Sequence, residues 1–116
     1  MNVLVICQGP AYGAERSYNG LRLATAPAKR EDTEVKVFLI GDAVTCAVEG
    51  QKVPDGYYHL DRMITAAGHQ AAEIGCCSTC LDARAITDEQ LTSPAHHATL
   101  EDLADWVLWS ENTLTF

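Results

Sequence analysis

The chain has 116 residues, a length that suits one domain with an ordinary hydrophobic core. Hydrophobic residues make up 47% and charged residues 21%, which is a globular balance and excludes a disordered chain. Eight basic and sixteen acidic side chains give a formal net charge of −8. Because an acidic chain without a basic run binds phosphate backbones and anionic lipid poorly, we expect no nucleic-acid partner and no membrane partner.

Cysteine content is the most informative part of the composition. The opening apolar run covers only about six residues, too few for the hydrophobic region of a signal peptide or for a membrane span. We therefore expect a cytoplasmic protein, in which thiols serve catalysis, metal binding or packing more often than disulfides. An odd number also leaves at least one thiol unpaired in any intramolecular pairing. The five cysteines are Cys7, Cys46, Cys76, Cys77 and Cys80.

The first half of the chain alternates between strand and helix patterns. The apolar run at 3–7 predicts a strand that is buried on both faces. Residues 15–26 predict a helix, which Pro27 ends or kinks. A second strand is predicted at 35–40, and a short helix follows at 43–49.

The second half continues the alternation. Apolar spacing predicts a helix at 58–68 and then a strand at 70–76. Residues 86–98 are polar and are interpreted mostly as loop. A clear amphipathic helix follows at 100–110, and 113–116 alternates like a short strand.

This order predicts an α/β fold, a single domain spanning 1–116 with a mainly parallel sheet flanked by helices. The last helix also bears on assembly. Its apolar stripe is expected to face the core, which turns Trp106 and Trp109 outward toward a partner. The stripe consists of Leu100, Leu103, Ala104, Val107 and Leu108.

A Cys-x-x-Cys motif directly follows the predicted third strand. In open α/β sheets, chemistry gathers at the carboxyl ends of the strands. If the following residues begin a helical turn, their N–H groups and Arg84 favour the thiolate of Cys80, and thiolate is the nucleophilic form. Asp82 opposes this unless it pairs with Arg84 and positions it. Cys80 is therefore the first candidate nucleophile, and Cys77 is the second.

Four functions compete for the cysteine motif. It could carry sulfur as a persulfide, form a thioredoxin-type redox pair, bind zinc or simply pack in the core. The redox motif normally sits after a first strand, which does not fit this position. Zinc lacks ligands, because His96 and His97 are adjacent and do not have the usual spacing, so we expect no metal. Cys7 and Cys46 are interpreted as packing residues.

A glycine-containing loop follows the first strand. Gly9 and Gly13 could cradle an anion at the next helix N-terminus. The loop lacks the lysine and hydroxyl of a phosphate-binding loop, and Glu15 would repel a phosphate. A tight structural turn is the favoured interpretation.

Several segments together resemble the DsrE/DsrF-like sulfur-relay family, most closely its YchN-like branch. The segments are GPAYGAE at 9–15, VFLIGDAVT at 37–45, CSTCLDARAI at 77–86 and LTF at 114–116. The resemblance implies a flavodoxin-like α/β fold and a homo-oligomer, commonly a trimer or hexamer. It also implies a sulfur-handling cysteine at a strand end, with Cys77 and Cys80 at the site and Asp82 and Arg84 beside them.

Two features depart from the pattern of that branch. Ala83 and Ala85 stand where YchN-like relatives tend to have glycines, and alanine resists positive φ. The additional Cys76 is also outside the pattern.

These observations predict a small sulfur-relay protein without a cofactor. Cys80 would accept sulfane sulfur as a persulfide, Arg84 would stabilise the thiolate and Cys77 would resolve or assist. The expected partners are other copies of the chain, a sulfur donor and a sulfur acceptor. The alternatives are a Cys-x-x-Cys thiol–disulfide protein and a non-enzymatic oligomeric binding or assembly protein. In that last case a small-ligand pocket would be formed by Gly9, Tyr12, Gly13, Glu15 and Asp42.

Overall fold

A computed structural model describes residues 1–70 and 72–116, which form an α/β fold. Within these residues the strands are β1 (Asn2–Cys7), β2 (Glu34–Leu39), β3 (Glu73–Cys77), β4 (His96–Ala98) and β5 (Asn112–Thr115). The α-helices are α1 (Arg16–Ala28), α2 (Leu60–His69), α3 (Ser78–Ala83) and α4 (Leu100–Trp109). Two 3₁₀ helices cover Gly41–Ala47 and Asp88–Gln90.

The strands form one sheet in the order β4-β3-β2-β1-β5, and every pairing is parallel. Val5 of β1 lies between Val37 of β2 and Leu114 of β5. The central strands are continuous apolar runs because parallel strands with helices on both faces are buried on both sides. The predicted α/β fold with a parallel sheet flanked by helices is confirmed.

Opposite faces of the sheet carry different helices. Cys7 faces α1, since its Sγ lies 2.8 Å from the ideal Cβ position at Gly20 of that helix. Phe38 pairs with Ile6, the neighbour of Cys7, so it points to the other face. There Phe38 meets Trp106 of α4, with ring centroids 5.8 Å apart in an edge-to-face arrangement.

Helix α4 is oriented opposite to the sequence prediction. Trp106 is only 8% exposed and packs on the sheet, whereas Leu108 is 85% exposed and Leu100 is 66% exposed. The expectation that the tryptophans face outward is therefore wrong, and of the leucine stripe only Leu103 packs against the core. The physical reason is the sheet surface beneath the helix. Gly75 leaves room there for an indole ring, and Lys36 places its ammonium 4.9 and 4.7 Å from the Trp106 and Trp109 rings.

Most predicted elements are present with shifts of a few residues. The strand predicted at 70–76 is β3, although residue 71 of that range lies outside the described residues. The stretch 86–98 contains the short edge strand β4 in addition to loop. A three-residue strand that begins with two histidines carries no apolar signal, so sequence periodicity could not detect it. No helix within the described residues is both long and apolar enough to cross a membrane.

Candidate functional site

The two cysteines of the Cys-x-x-Cys motif lie where β2 and β3 end side by side. Cys77 is the last residue of β3. Leu39 ends β2 beside Cys76, and Gly41 follows it by two residues. Because parallel strands end at the same edge of the sheet, the loop after β2 lies against the turn after β3.

The backbone after Cys77 turns at once into the short helix α3, which ends in a Schellman motif. The N–H of Ala85 donates to the Asp82 carbonyl, and the N–H of Ile86 donates to the Leu81 carbonyl. Ala85 adopts the left-handed conformation, with φ 54°. Alanine therefore occupies a position that normally favours glycine, and it does so at a cost in strain. This turn fixes Arg84 at the helix end.

Cys80 accepts a hydrogen bond from the loop after β2. The backbone N–H of Gly41 donates to Cys80 Sγ at 3.2 Å, and Cys80 is half-buried. Burial and the hydrogen bond to Cys77 raise the pKa of Cys80 above its ordinary value, although Gly41 and Arg84 act in the opposite direction. Cys80 is thus the more accessible thiol of the pair and the one that holds its proton.

Cys77 lies deeper and has the opposite electrostatic environment. It is 4% exposed, and its Sγ lies 3.3 Å from the Thr79 hydroxyl oxygen. Burial alone would raise the pKa of Cys77. Hydrogen bonds from the Thr79 side chain, from the backbone N–H groups of Cys80 and Thr79, and from the Cys80 thiol together lower that pKa below its ordinary value.

Arg84 ties the two loops of the site together. Its Nη2 and Nε donate to Asp42 Oδ1 at 2.7 and 3.2 Å, and its Nη1 donates to the Cys80 carbonyl at 3.0 Å. The sequence leaves open whether Asp82 pairs with Arg84. The structure pairs Arg84 with Asp42 instead, and Asp82 is exposed at the helix surface. Asp82 points away since α3 must turn its Leu81 side, not its Asp82 side, toward the core.

Three other thiols are buried in the core, in agreement with the packing role expected for Cys7 and Cys46. Burial raises the pKa values of Cys7, Cys46 and Cys76 to about 12. Cys7 and Cys46 also lie near the Ser17 hydroxyl. At neutral pH these thiols stay protonated and unreactive.

The residues expected to form a small-ligand pocket lie on two neighbouring segments, because the Ala11 N–H donates to Thr45 Oγ1 at 3.0 Å and the Thr45 hydroxyl donates to the Asp42 carbonyl at 2.6 Å. Asp42 belongs to the cysteine site through its pair with Arg84. Gly9 is buried, with its carbonyl accepting from Ser17 at 2.6 Å, and Tyr12 donates to the Gln51 side chain at 2.6 Å. Gly13 lies in a turn at φ 94°, and Glu15 precedes α1. A surface cavity of about 310 Å³ lies elsewhere, lined by Asn19, Arg22, Leu23 and Ala26 of α1.

Sequence reasoning missed two contributors to the site. Thr79 lies inside the motif, but a hydroxyl two residues from a thiol carries no sequence signal of its own. Gly41 could have been found, because it directly follows a predicted strand beside the one that ends in Cys77. Among residues 1–70 and 72–116, no cluster of three or more histidine, cysteine or carboxylate side chains could hold a metal ion.

The fold and the site together define a small parallel α/β protein with a thiol pair at the carboxyl edge of its sheet. Comparison with known proteins identifies the family. The model of the DsrE/DsrF-like family matches residues 1–116, and the chain belongs to that family.

Relatives and solved structures agree with this membership. Protein YchN of Escherichia coli strain K12 is 35% identical over 115 residues, which cover 98% of this chain and 97% of YchN. An uncharacterized protein of Methanopyrus kandleri is 37% identical over 113 residues, covering 97% and 91% of the two chains. The crystal structure of the Escherichia coli ychN protein superposes with a TM-score of 0.92 at 34% identity, covering 99% and 98%.

A more distant structure shares the fold alone. A protein of unknown function from Methanobacterium thermoautotrophicum superposes with a TM-score of 0.73 at 11% identity, covering 99% of this chain and 97% of the other. The sequence match and the structural match to YchN support the YchN-like branch of the family.

Proposed function

We propose that this protein is a cytoplasmic sulfur-relay protein. It carries sulfane sulfur as a persulfide on the Cys77–Cys80 pair and passes it to an acceptor thiol. The observation that supports this most is the pair of thiols at the carboxyl edge of the sheet, where Thr79 Oγ1 contacts Cys77 Sγ and the Gly41 N–H donates to Cys80 Sγ. The pKa of Cys77 is lowered and that of Cys80 is raised. Such a pair supplies a thiolate and a proton donor in one place. Membership of the DsrE/DsrF-like family supports the same function, since the resemblance to that family implies a sulfur-handling cysteine at a strand end.

The transfer needs no external oxidant or reductant. A thiolate of the pair attacks the outer sulfur of a donor persulfide, R–S–SH. The donor S–S bond breaks, a new S–S bond forms on the cysteine, and R–S⁻ leaves with its electron pair. The proton stays on the transferred sulfur or moves to the leaving thiolate. An acceptor thiolate then repeats the same attack on the carried sulfur and restores the pair.

Groups around the pair suit this chemistry. The Gly41 N–H approaches Cys80 Sγ at 3.2 Å and can stabilise negative charge on that sulfur. Arg84 lowers the pKa of Cys80 and holds the Cys80 carbonyl. Asp42 neutralises only part of that effect, because it is 62% exposed and its charge is screened by water.

Intact-mass spectrometry tests the function. After incubation with a persulfide donor, the wild-type protein should gain the mass of one sulfur atom and lose it again when an acceptor thiol is added. Neither Cys77→Ser combined with Cys80→Ser nor the donor-free protein should show the gain, whereas Cys46→Ala should behave as wild type. Absence of any adduct on the folded wild-type protein would contradict the relay and favour the binding or assembly function.

A thiol–disulfide function is the second candidate, and the Cys-x-x-Cys spacing of Cys77 and Cys80 favours it. Mild oxidation would then remove two hydrogen atoms and join Cys77 to Cys80. The mass change would be lost in either single serine variant. A protein that forms this disulfide reversibly but takes no sulfur from a persulfide donor is a redox protein and not a relay.

We also propose that the protein associates with copies of itself through α4, as a trimer or hexamer. The exposed face of that helix is apolar, with Leu100 66%, Val107 42% and Leu108 85% exposed. Contiguous exposed apolar surface of this kind is typical of interfaces. Leu100 begins α4 two residues after Ala98, which pairs with Cys77, so this interface would border the cysteine site.

Light scattering after size-exclusion chromatography tests the assembly. Leu108→Ser should lower the molar mass toward that of the monomer, because it replaces the most exposed of these three apolar side chains with a polar one. Tyr57→Ser is the matched control, since Tyr57 is 67% exposed in a loop and its loss should leave the mass unchanged. A monomeric wild-type protein at micromolar concentration would contradict self-association.

A further inference from the structure

We infer that Thr79 is a positioning residue whose hydroxyl selects Cys77, rather than the more exposed Cys80, as the sulfur that attacks first. The inference rests on the proposed thiol chemistry and adds the identity of the attacking atom. It reverses the order expected from the sequence, in which Cys80 is the first candidate nucleophile.

The sulfur atoms of Cys77 and Cys80 contact different kinds of hydrogen-bond donor. Thr79 Oγ1 lies 3.3 Å from Cys77 Sγ. A thiolate has no proton and can only accept, so the hydroxyl donates when Cys77 is charged. Cys80 Sγ meets one backbone donor, Gly41 N–H at 3.2 Å. Cys77 therefore receives the side-chain donor in addition to backbone donors, and Cys80 becomes the partner that holds the proton.

Thr79 is not part of the hydrophobic core. Its side chain is exposed in the first turn of α3, where a threonine adds little to helix stability. The titratable and charged groups around Cys77 are Cys76, Cys80 and Arg84, with Asp42 beyond Arg84. Of the groups near Cys77, Thr79 contributes the leading hydrogen bond that lowers its pKa.

The consequence for a relay is an order of events. Cys77 attacks the sulfane sulfur while the Cys80 thiol remains protonated beside it. The Cys80 proton is then available to the leaving donor thiolate, which avoids releasing an unprotonated thiolate into the site. After that transfer Cys80 is the charged sulfur, and the Gly41 N–H at 3.2 Å stabilises it.

Ultraviolet thiolate titration of the full-length protein tests the inference. The buried thiols do not interfere near neutral pH, because the pKa values of Cys7, Cys46 and Cys76 are about 12. Wild type should form one thiolate at a lower pH than free cysteine does. Thr79→Val keeps the shape but removes the hydroxyl, and should lower the thiolate fraction at neutral pH about three- to tenfold. Thr79→Ser restores a donor and should stay within about twofold of wild type.

The cysteine variants identify which sulfur titrates first. Cys80→Ser keeps a hydroxyl donor beside Cys77 and should retain the early step, whereas Cys77→Ser should lose it. An early step that survives Cys77→Ser, or a Thr79→Val titration that overlays wild type, would overturn the inference. If Thr79→Val does not fold by circular dichroism, Thr79→Ala replaces it. The titration needs no sulfur donor, so its outcome is independent of whether the relay itself operates.

Discussion

Five thiols in one small protein fall into two groups with opposite chemistry. Cys7, Cys46 and Cys76 are fully buried, and burial raises their pKa values to about 12. Cys77 and Cys80 lie at the carboxyl edge of the sheet, where hydrogen bonds lower the pKa of Cys77 and burial raises the pKa of Cys80. The neighbours Cys76 and Cys77 show that the difference comes from position and not from burial alone. Both are buried, yet they point to opposite faces of β3, and only Cys77 meets the N–H groups of α3.

Alkylation gives the largest expected contrast between the two groups. Iodoacetamide reacts with thiolates, and a pKa of about 12 instead of the ordinary 9.0 lowers the thiolate fraction at neutral pH. Cys7, Cys46 and Cys76 should react at least about a thousandfold more slowly than Cys77 in the folded protein. Peptide mass spectrometry of samples quenched over time measures this, with denatured protein as the control. Equal labelling of all five thiols under native conditions would contradict the division into three unreactive thiols and one reactive pair.

Alkaline unfolding tests the buried group by itself. A thiol whose pKa rises from 9.0 to about 12 on folding stabilises the folded state fully below pH 9, and that stability is lost as the pH rises toward 12. Three such thiols should cost up to about 4 kcal/mol per pH unit in this window. Urea unfolding at several pH values measures the slope. Cys46→Ala should make the slope shallower by about 1.4 kcal/mol per pH unit, and an unchanged slope would contradict the assigned burial.

Arg84→Met tests how Arg84 affects the pKa of Cys80 and the stability of the protein. The change removes both bonds to Asp42 and the bond to the Cys80 carbonyl. The pKa of Cys80 should rise further, because Arg84 lowers it. The free energy of unfolding should fall by less than about 1 kcal/mol, since Asp42 is 62% exposed. Thiolate titration and thermal unfolding measure the two effects.

Asp82→Asn provides the matched control for this arginine. It removes the charge of Asp82, an acidic residue of α3 that takes no part in the ion pair between Arg84 and Asp42. The titration of Cys80 in this variant should match wild type. A shift as large as that of Arg84→Met would mean that any change of charge near α3 alters the pKa of Cys80, and that the contacts of Arg84 have no specific effect on it.

Ala85→Gly gives the smallest expected effect. Ala85 holds a left-handed conformation that glycine adopts without strain. The substitution should stabilise the protein by about 0.5–1 kcal/mol, the relief of strain less the entropy lost on folding. Thermal unfolding checks the direction, and Ala83→Gly should destabilise instead, because Ala83 lies within α3. A loss of stability in Ala85→Gly would mean that the turn is not strained.

Much of this contrast could be predicted from the sequence. Strands that are buried on both faces, such as β1 and β2, have continuous apolar runs, and their order with the helices determines the parallel α/β fold. The position of Cys77 and Cys80 at a strand end followed from the same pattern. The expected packing roles of Cys7 and Cys46 also agree with their burial.

Other features depended on long-range contacts that periodicity does not encode. The amphipathic stripe of α4 identified a helix but not the side that meets the sheet, which Gly75 and Lys36 determine from two other strands. Arg84 could pair with either nearby acidic residue, and only the turn after β2 brings Asp42 to it. Ala85 was expected to resist positive φ, yet the Schellman bonds hold it there.

Site-resolved mapping of the added sulfur tests the central claim most directly. The wild-type protein is treated with a persulfide donor and digested under conditions that preserve the persulfide, and each cysteine is read by tandem mass spectrometry. The account predicts the added sulfur on Cys77 or Cys80 and none on the three buried thiols. A folded variant that combines Cys77→Ser with Cys80→Ser but still takes up sulfur, on Cys7, Cys46 or Cys76, would contradict it.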